Sequence, residues 1–562
     1  MSLLVILRIV GLLLMLFSLT MVPPVAISLI FDDATWDAFV IGLGISFATG
    51  MALYWPTRHA RRELRTRDGF LITVMFWSVL GLFGSLPLML AEDPSLSLTD
   101  AVFESFSGLT TTGATVLTGI DLLPESIRFY RQQLQWLGGM GIVVLAVAIL
   151  PTLGIGGMQL YRTEIPGPLK DSKLTPRITE TAKALWYIYA ALTLACFLAY
   201  WLAGMSWFDA IGHSFSTVAI GGFSTHDASI GYFDSAAIEL ICVFFMVISS
   251  LSFGLHFAVW REKRLRHYLV DPEFRFFIIF LTLLVTITIA TLMLSGTYTD
   301  TLGLRHGLFE VVSVATTTGF GVADFTVWPG VLPFMLFIAA FVGACSGSAG
   351  GGMKVIRILL ILKQGLREIH RLIHPNAVFS VKVGKMRISS GVAEAVWGFF
   401  SAYLLLFVLI LMVLLATGLA PRIRLAQAAG LSAGGDGIRV DRHLATSQPH
   451  IWALGDCASV EGVNAMYVQP LQMAARTLAA NLCGEPSVLD WKAWPVLVKT
   501  PALPVVAYPP RSAVARWEIN GEGDDLEARA LDMNERLIGY ALTGASVRRK
   551  VELARQAPPL LG

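Results

Sequence analysis

The sequence predicts an all-α polytopic membrane protein built from helix–pore loop–helix repeats, three complete and a fourth truncated, followed by a small soluble α/β fragment. Three observations predict it. The 562 residues are 55% hydrophobic and 15% charged, with a mean hydropathy of +0.66, which is far too apolar for a soluble chain of this length. Three loops between apolar segments carry one pattern in one register. The composition then changes near residue 420: 29 of the 143 residues from there onward are charged, against 53 of the first 419.

A helix that crosses lipid needs about 20 apolar residues, and its backbone must pair within the segment. Nine stretches qualify: 3–31, 35–56, 69–91, 130–152, 183–204, 235–260, 274–295, 330–362 and 391–418. Three links between them are basic. Arg58, Arg61, Arg62, Arg65 and Arg67 join the second and third spans, and Arg261, Lys263, Arg264 and Arg266 follow the sixth. Lys363, Arg367, Arg371, Lys382, Lys385 and Arg387 separate the eighth from the ninth. Alternating spans put all three links on one side, which their charge makes cytoplasmic, together with the N-terminus. The acidic link Asp32-Asp33 falls outside. The first segment holds Arg8 and lacks a convincing small-residue cleavage site, so it is expected to be retained as a span.

A net charge of +2 gives no reason to expect nucleic acid as a partner. Cys196, Cys242, Cys345, Cys457 and Cys483 form no C-x-x-C pair, so zinc and redox dithiol chemistry are not expected. His370 and His374 could share a helix face, but with no third ligand in view a bound metal site is not expected there.

The first patterned loop is Asp100-Ala-Val-Phe-Glu104-Ser-Phe-Ser107 running into Thr110-Thr111-Thr112-Gly113. The second is Asp209-Ala-Ile-Gly-His213-Ser-Phe-Ser216 running into Ala219-Ile220-Gly221-Gly222. The third is His306-Gly-Leu-Phe-Glu310-Val-Val-Ser313 running into Thr316-Thr317-Thr318-Gly319. Thirteen positions separate first residue from final glycine in each (100 to 113, 209 to 222, 306 to 319). Each stretch is too short to span, so it reads as a half-helix that enters the membrane and returns. Threonine hydroxyls and backbone carbonyls are hard oxygen ligands that can replace the water shell of an alkali cation. Glycine lets those carbonyls turn toward a common axis, and the negative C-terminal ends of the half-helices favour a cation there. One such turn is ordinary; three in register between spans are not. Glu104 and Glu310 stand at equivalent positions, with His213 at the third, and the favoured role is to hold the loop through hydrogen bonds rather than to touch the ion.

A fourth feature interrupts the eighth span at Gly343-Ala-Cys-Ser-Gly347-Ser-Ala-Gly350-Gly351-Gly352-Met-Lys354. Residues this small break a helix in mid-membrane, and broken helices mark substrate paths or gates. Lys354 and Arg357, just after the break, suit pore control or lipid-headgroup contact. The residues Thr110–Ala114, Ser216–Thr225, Thr316–Phe320 and Gly343–Arg357 resemble the potassium-translocating subunit of the bacterial Trk system, in the Trk/Ktr/HKT superfamily. The resemblance runs over residues 1–418. It implies a multi-pass protein of the bacterial inner membrane with a potassium-selective pore from four repeats and an intramembrane gating loop at Gly343, Gly347, Gly350, Gly351, Gly352 and Lys354. It implies a homodimer, a cytosolic nucleotide-binding gating subunit and no cofactor. Carried over by position, the filter lies at Thr111-Thr112-Gly113, Ile220-Gly221-Gly222 and Thr317-Thr318-Gly319.

The ninth span should open a fourth repeat, but no apolar stretch follows Gly418-Leu419 to close it. The tail reads instead as α/β, with strands at Gly437–Asp441, His450–Asp456, Trp517–Asn520 and Leu537–Leu542 and a helix at Leu471–Leu482. Thr446 to Ala458, with Gly455-Asp456, resembles the second flavin motif of FAD-dependent pyridine-nucleotide reductases, where Asp456 would meet the ribityl chain. Val468–Ala480 and Val496-Leu-Val-Lys499-Thr-Pro501 resemble rubredoxin–NAD reductase more narrowly. The Gly-x-Gly-x-x-Gly turn for the flavin pyrophosphate has no place upstream, where membrane spans stand. The expected organisation is an N-terminal span pair (1–57), repeats at 58–160, 161–265 and 266–375, the first helix of a truncated repeat (376–419) and the reductase-like fragment (420–562). The expected function is potassium transport impaired by loss of the fourth loop, in a chimeric chain. The rivals are a membrane-anchored FAD-dependent oxidoreductase and a non-functional chimera.

Overall fold

The computed structural model describes residues 3–60, 66–139, 141, 178–298, 301–374, 377, 379–384, 386–388, 390–416, 423–465, 468–493, 495–498, 503–510 and 512–561. The chain divides into two compact units, Met1–Leu404 and Leu405–Gly562. Among the described residues, six helices are long and apolar enough to cross a membrane: Leu4–Phe31, Trp36–Thr57, Leu71–Leu90, Lys183–Leu202, Pro272–Leu294 and Gly391–Val413. Of the span expected at 130–152, the described part belongs to a helix over Glu125–Gly139, and residues 142–152 lie outside the described residues.

Two expected spans are not straight. The stretch 235–260 is a helix over Ala236–Ser249 and another over Phe253–Glu262, meeting at 91°. At the bend the Ser250 hydroxyl bonds back to the Met246 carbonyl (2.7 Å), which loosens the ladder. The freed backbone groups find new partners: Ser250 O accepts from Cys345 N (3.0 Å), and Phe253 N donates to Gly347 O (2.9 Å). The stretch 330–362 breaks as its glycines predict. A helix over Leu332–Val342 ends at Gly343 (φ 68°), and the next begins only at Val355 and runs to Ile373.

Three short helices lie between the long ones: Leu98–Leu109, Trp207–Ala219 and Thr301–Ala315. With 12, 13 and 15 residues they reach about 18–23 Å, short of a hydrocarbon core about 30 Å thick. The first two start in reciprocal caps. Ser97 Oγ accepts from Asp100 N and donates to Asp100 Oδ2, and Ser206 does the same with Asp209. The aspartate that opens the pattern therefore starts a helix.

The core of this unit is apolar and continuous, from Ile6, Leu14 and Phe39 through Tyr130, Cys196 and Cys242 to Phe277, Val311 and Leu336. Cys196, Cys242 and Cys345 sit in it as small free hydrophobes. The first and second long helices cross at glycine. A Cβ on Gly11 would lie 2.7 Å from Gly50 O, and one on Gly50 2.7 Å from Gly11 O.

Among its described residues the second unit holds two sheets. Ala433–Gly434 pairs antiparallel with Gly437–Val440, which pairs parallel with Ala458–Val460. The other is a five-stranded antiparallel sheet in the order Val496–Val498, Val505–Tyr508, Leu537–Thr543, Asp525–Leu531, Arg516–Glu522. The expected strand at His450–Asp456 is not formed: that segment makes one bridge, Ala445 to Trp452, and then a 3-10 turn at Gly455–Cys457. His450 (φ 66°) and Gly455 (φ 82°) both leave the extended region, so no ladder can run through them. The helix spans Val468–Leu482, three residues longer at its start than expected.

The glycine crossing is testable. Gly50→Leu is expected to push the two helices apart and to lower the melting temperature in detergent, by a cost of about 1–3 kcal/mol. Gly44→Leu, on the same helix where an added Cβ meets nothing within 4 Å, should leave it unchanged.

Candidate ion pathway

The three short helices end identically. Thr112 N donates to Ser107 O (2.9 Å), Gly221 N to Ser216 O (2.9 Å) and Thr318 N to Ser313 O (2.8 Å). The residue before each donor has a left-handed backbone: Thr111 (φ 52°), Ile220 (φ 56°) and Thr317 (φ 66°). Two residues further on Gly113 (75°), Gly222 (82°) and Gly319 (86°) are left-handed again. Alternation of this kind turns successive carbonyls the same way, and it is costly at the β-branched residues, on the order of 1–3 kcal/mol each. The loops also meet. A Cβ on Gly113 would lie 2.2 Å from Gly221 O, and one on Gly222 2.1 Å from Thr318 O. Each glycine thus presses on the carbonyl of the residue before the glycine of the next loop. Beside Gly319, no described atom lies within 4 Å of that position.

The residue at the shared acidic position braces the chain leaving each loop. Glu104 accepts from the Thr115 hydroxyl (2.9 and 3.0 Å) and Val116 N (3.2 Å). Glu310 accepts from Val322 N (2.7 Å) and Ala323 N (2.9 Å). His213 uses its ring. Nδ1 is 2.9 Å from the Asp209 carbonyl and must donate, so Nε2 accepts from the Ser224 hydroxyl at 2.9 Å. The three brackets reach 11 to 13 residues downstream in each case.

One helix ties the first two loops together. Arg131, fully buried, pairs with Glu104 Oε1 (2.7 Å) and donates to Thr115 Oγ1 (3.1 Å) and Ser224 O (3.3 Å). Its guanidinium lies 4.3 Å from the Phe223 ring centre. Gln135 donates to Gly221 O (2.7 Å) and accepts from Phe223 N (3.0 Å), while Gln132 donates to Phe223 O (3.2 Å). A Cβ at Gly221 would lie 2.3 Å from Gln135 Cδ, so the amide occupies the space that a threonine needs. This is why the second loop carries glycine where the others have Thr112 and Thr318. The run Arg131-Gln132-Gln133-Leu134-Gln135, polar inside an expected span, was the available signal, and sequence reasoning missed it.

The glycine strip 343–354 touches the second and third loops. Gly351 N donates to Thr317 Oγ1 (2.7 Å), and a Cβ on Gly350 would lie 3.1 Å from Thr316 O and 3.5 Å from Ile220 Cδ1. Buried Lys354 donates to Gly350 O, and Ser346 N donates to Glu273 Oε1 (2.6 Å). Gly343, Gly347 and Gly352 all have left-handed backbones, and a Cβ on Gly343 would lie 2.4 Å from Gly351 O. The strip is folded on itself through glycine contacts rather than stretched.

Beyond the loops, His226 links the first two. Its Nδ1 bonds Asp121, its Nε2 is 3.3 Å from Asp209 Oδ1, and its ring stacks on Tyr232 at 3.5 Å. Burial alone would lower its pKa, but the carboxylates of Asp209 and Asp121 outweigh it and hold the imidazole above its usual value.

In the second unit, Gly455 and Asp456 lie in a 3-10 turn, and the Asp456 carbonyl accepts from Asn464 (2.9 Å). FAD needs a Gly-x-Gly-x-x-Gly cradle for its pyrophosphate, and residues 420–562 contain no such run. The residues present do not fit the cofactor.

Helices long and apolar enough to cross a membrane, with three loops of one backbone that meet glycine to carbonyl at Gly113 and Gly222, point to a class, the ion-conducting membrane proteins. A family model described as TrkH, cation transport protein, matches residues 36–419. The chain belongs to the TrkH family. The Trk system potassium uptake protein TrkH of Halomonas elongata is 73% identical over 418 residues, 74% of this chain and 87% of that protein. TrkH of Escherichia coli K12 is 56% identical over 412 residues, 73% of this chain and 85% of that one. The crystal structure of the potassium transporter TrkH from Vibrio parahaemolyticus superposes with a TM-score of 0.68 at 53% identity, covering 75% of this chain and 87% of that one. The tail matches other models: pyridine nucleotide-disulphide oxidoreductase over 408–477 and rubredoxin binding C-terminal domain over 488–557.

Two outcomes follow. Arg131→Met leaves Glu104 buried without its cation and is expected to cost about 3–5 kcal/mol, read as a lower melting temperature in detergent. The double change E104Q/R131M should lose less than the single one. His226, with a raised folded pKa, contributes stability that is fully present below about pH 6.5 and is lost as pH rises through the folded value. The melting difference between the native chain and H226N should therefore shrink from pH 6 to pH 9, and a constant difference would refute the link.

Proposed function

We propose that residues 1–419 are three complete quarters and the opening helix of the fourth in a Trk-type, potassium-translocating pore subunit of the bacterial inner membrane. Its N-terminus is cytoplasmic, as the basic links 58–67, 261–266 and 363–387 suggest. The carbonyls of Thr111, Thr112, Ile220, Gly221, Thr317 and Thr318, turned by Gly113, Gly222 and Gly319, replace the water shell of potassium. The single observation that carries this reading is the repeated backbone of the three loops with its glycine-to-carbonyl contact. The strip with Gly343, Gly347, Gly350, Gly351, Gly352 and Lys354 is the gating loop, a reading supported by its approach to Thr316, Thr317 and Ile220. The pore works without a cofactor, in a homodimer gated by a cytosolic nucleotide-binding subunit.

The repeat boundaries follow the register: 58–160, 161–265 and 266–375, with 376–419 opening the fourth. From about 420 the chain is a reductase fragment, joined where the two family matches overlap, at 408–419. It replaces the fourth loop and lacks a flavin cradle, so transport is impaired and reduction is not acquired.

Growth of a potassium-uptake-deficient bacterium at low potassium tests this. The unmodified chain is expected to fail. A version in which residues 420–562 are exchanged for the remaining part of the Halomonas protein is expected to restore growth. Full rescue by the unmodified chain, or stoichiometric bound FAD in its absorption spectrum, would overturn the proposal.

A further inference from the structure

Two helix ends flank the glycine strip, and their loose amides find partners in other segments. The helix over Leu332–Val342 stops at Gly343, and the amides that follow are taken up one by one. Ala344 N donates to Gly351 O (3.4 Å), Cys345 N to Ser250 O (3.0 Å) and Ser346 N to Glu273 Oε1 (2.6 Å). The helix over Val355–Ile373 opens at Lys354, whose side chain makes no cap, so its first amides need acceptors from elsewhere. Val355 N donates to Ala344 O (3.1 Å), and Ile356 N donates to the same Glu273 Oε1 (3.2 Å). One carboxylate oxygen therefore holds an amide on each side of Gly347–Gly352. Glu273 stands in the first turn of the helix over Pro272–Leu294, which Asp271 already caps through Phe274 N (2.7 Å). That cap leaves the Glu273 carboxylate available to a second segment of the chain.

We infer that Glu273 is the latch of the strip, a positioning residue that keeps 343–354 folded against the second and third loops. The inference rests on the gating reading above and deepens it. Stretching the strip, or swinging it aside, carries Ser346 N away from Ile356 N, and one oxygen cannot follow both. Such a movement therefore begins with a hydrogen bond lost at Glu273 and an amide left without its acceptor. The ties from Gly351 N to Thr317 Oγ1 and from Lys354 to Gly350 O each fix the strip at a single point. The strip also carries its own reporter. Cys345 is a free thiol, 2% exposed, and it sits next to Ser346. Cys196 and Cys242, both 0% exposed, lie within the helices Ile178–Leu202 and Ala236–Ser249, away from the strip in sequence.

N-ethylmaleimide labelling of the full chain in detergent, mapped by peptide mass spectrometry, reads the latch without requiring transport. Cys345 of the native chain is expected to label slowly. Glu273→Ala should raise its rate by about tenfold or more, through local opening, while Cys196 and Cys242 stay slow. Glu273→Gln keeps an acceptor oxygen at the same place and should restore slow labelling. An unchanged rate at Cys345 in Glu273→Ala, a parallel rise at Cys196 and Cys242, or failure of Glu273→Gln to protect would each overturn the inference. Rubidium uptake by the chain completed with the remaining part of the Halomonas protein is read separately, and Glu273→Ala is expected to raise it. A strip released in the labelling assay with uptake unchanged leaves the latch standing and overturns the gate.

Discussion

A glycine pressed against a carbonyl of the neighbouring loop is the contact on which the rest of this membrane unit depends. At 2.1–2.2 Å from an added Cβ to that oxygen, no side chain is tolerated, and the glycines must also hold φ between 75° and 86°. Both requirements therefore fall on Gly113 and Gly222, while Gly319 meets only the second. The left-handed residues Thr111, Ile220 and Thr317 are β-branched and strained, so the loops need bracing from outside. Glu104, His213 and Glu310 provide it by holding the outgoing chain, and Arg131 and Gln135 join the first loop to the second.

Much of this is visible in the chain before folding, and what is visible follows physical rules. The spans at 35–56, 183–204 and 274–295 are long apolar runs, and the helices Trp36–Thr57, Ile178–Leu202 and Pro272–Leu294 stand there. The register of thirteen also fixes where the left-handed glycines fall. The bend at Ser250–Ser252 was hidden because a hydropathy average does not register that Ser250 O and Phe253 N find their partners at Cys345 and Gly347 in the strip. Arg131, Gln132 and Gln135 left a signal, a polar run inside an expected span, but the partners they meet when buried, Glu104, Phe223 and Gly221, lie far along the chain.

In the tail, the helix over Val468–Leu482 and the strands over Gly437–Val440, Arg516–Glu522 and Leu537–Thr543 match short patterned runs. The strand over Asp525–Leu531 does not read as one, because Glu527 sits in its buried row. It is tolerated there through Arg529 (2.6 Å) and Arg549 (2.7 Å), the second of them supplied 22 residues later. A tertiary partner of this kind leaves no local trace in the sequence. At His450 to Asp456 the reverse happened: an apolar run read as a strand, and two left-handed residues turned it into a bridge and a turn.

In the proposed reading the chain joins three quarters of a pore to a reductase-like fragment. Each loop is held by brackets within residues 97–323, from Glu104, His213 and Glu310. What the proposed pore lacks is closure. Ion-specific stabilisation measures closure most directly, because a ligand that binds the folded state raises its melting temperature in proportion to that binding. Thermal unfolding of the purified chain in potassium and in sodium, beside a version carrying a complete fourth repeat, is the decisive comparison. Our account predicts a potassium-specific rise for the completed version and none for the native chain. An equal potassium-specific rise in both would mean that three loops suffice, and would contradict it.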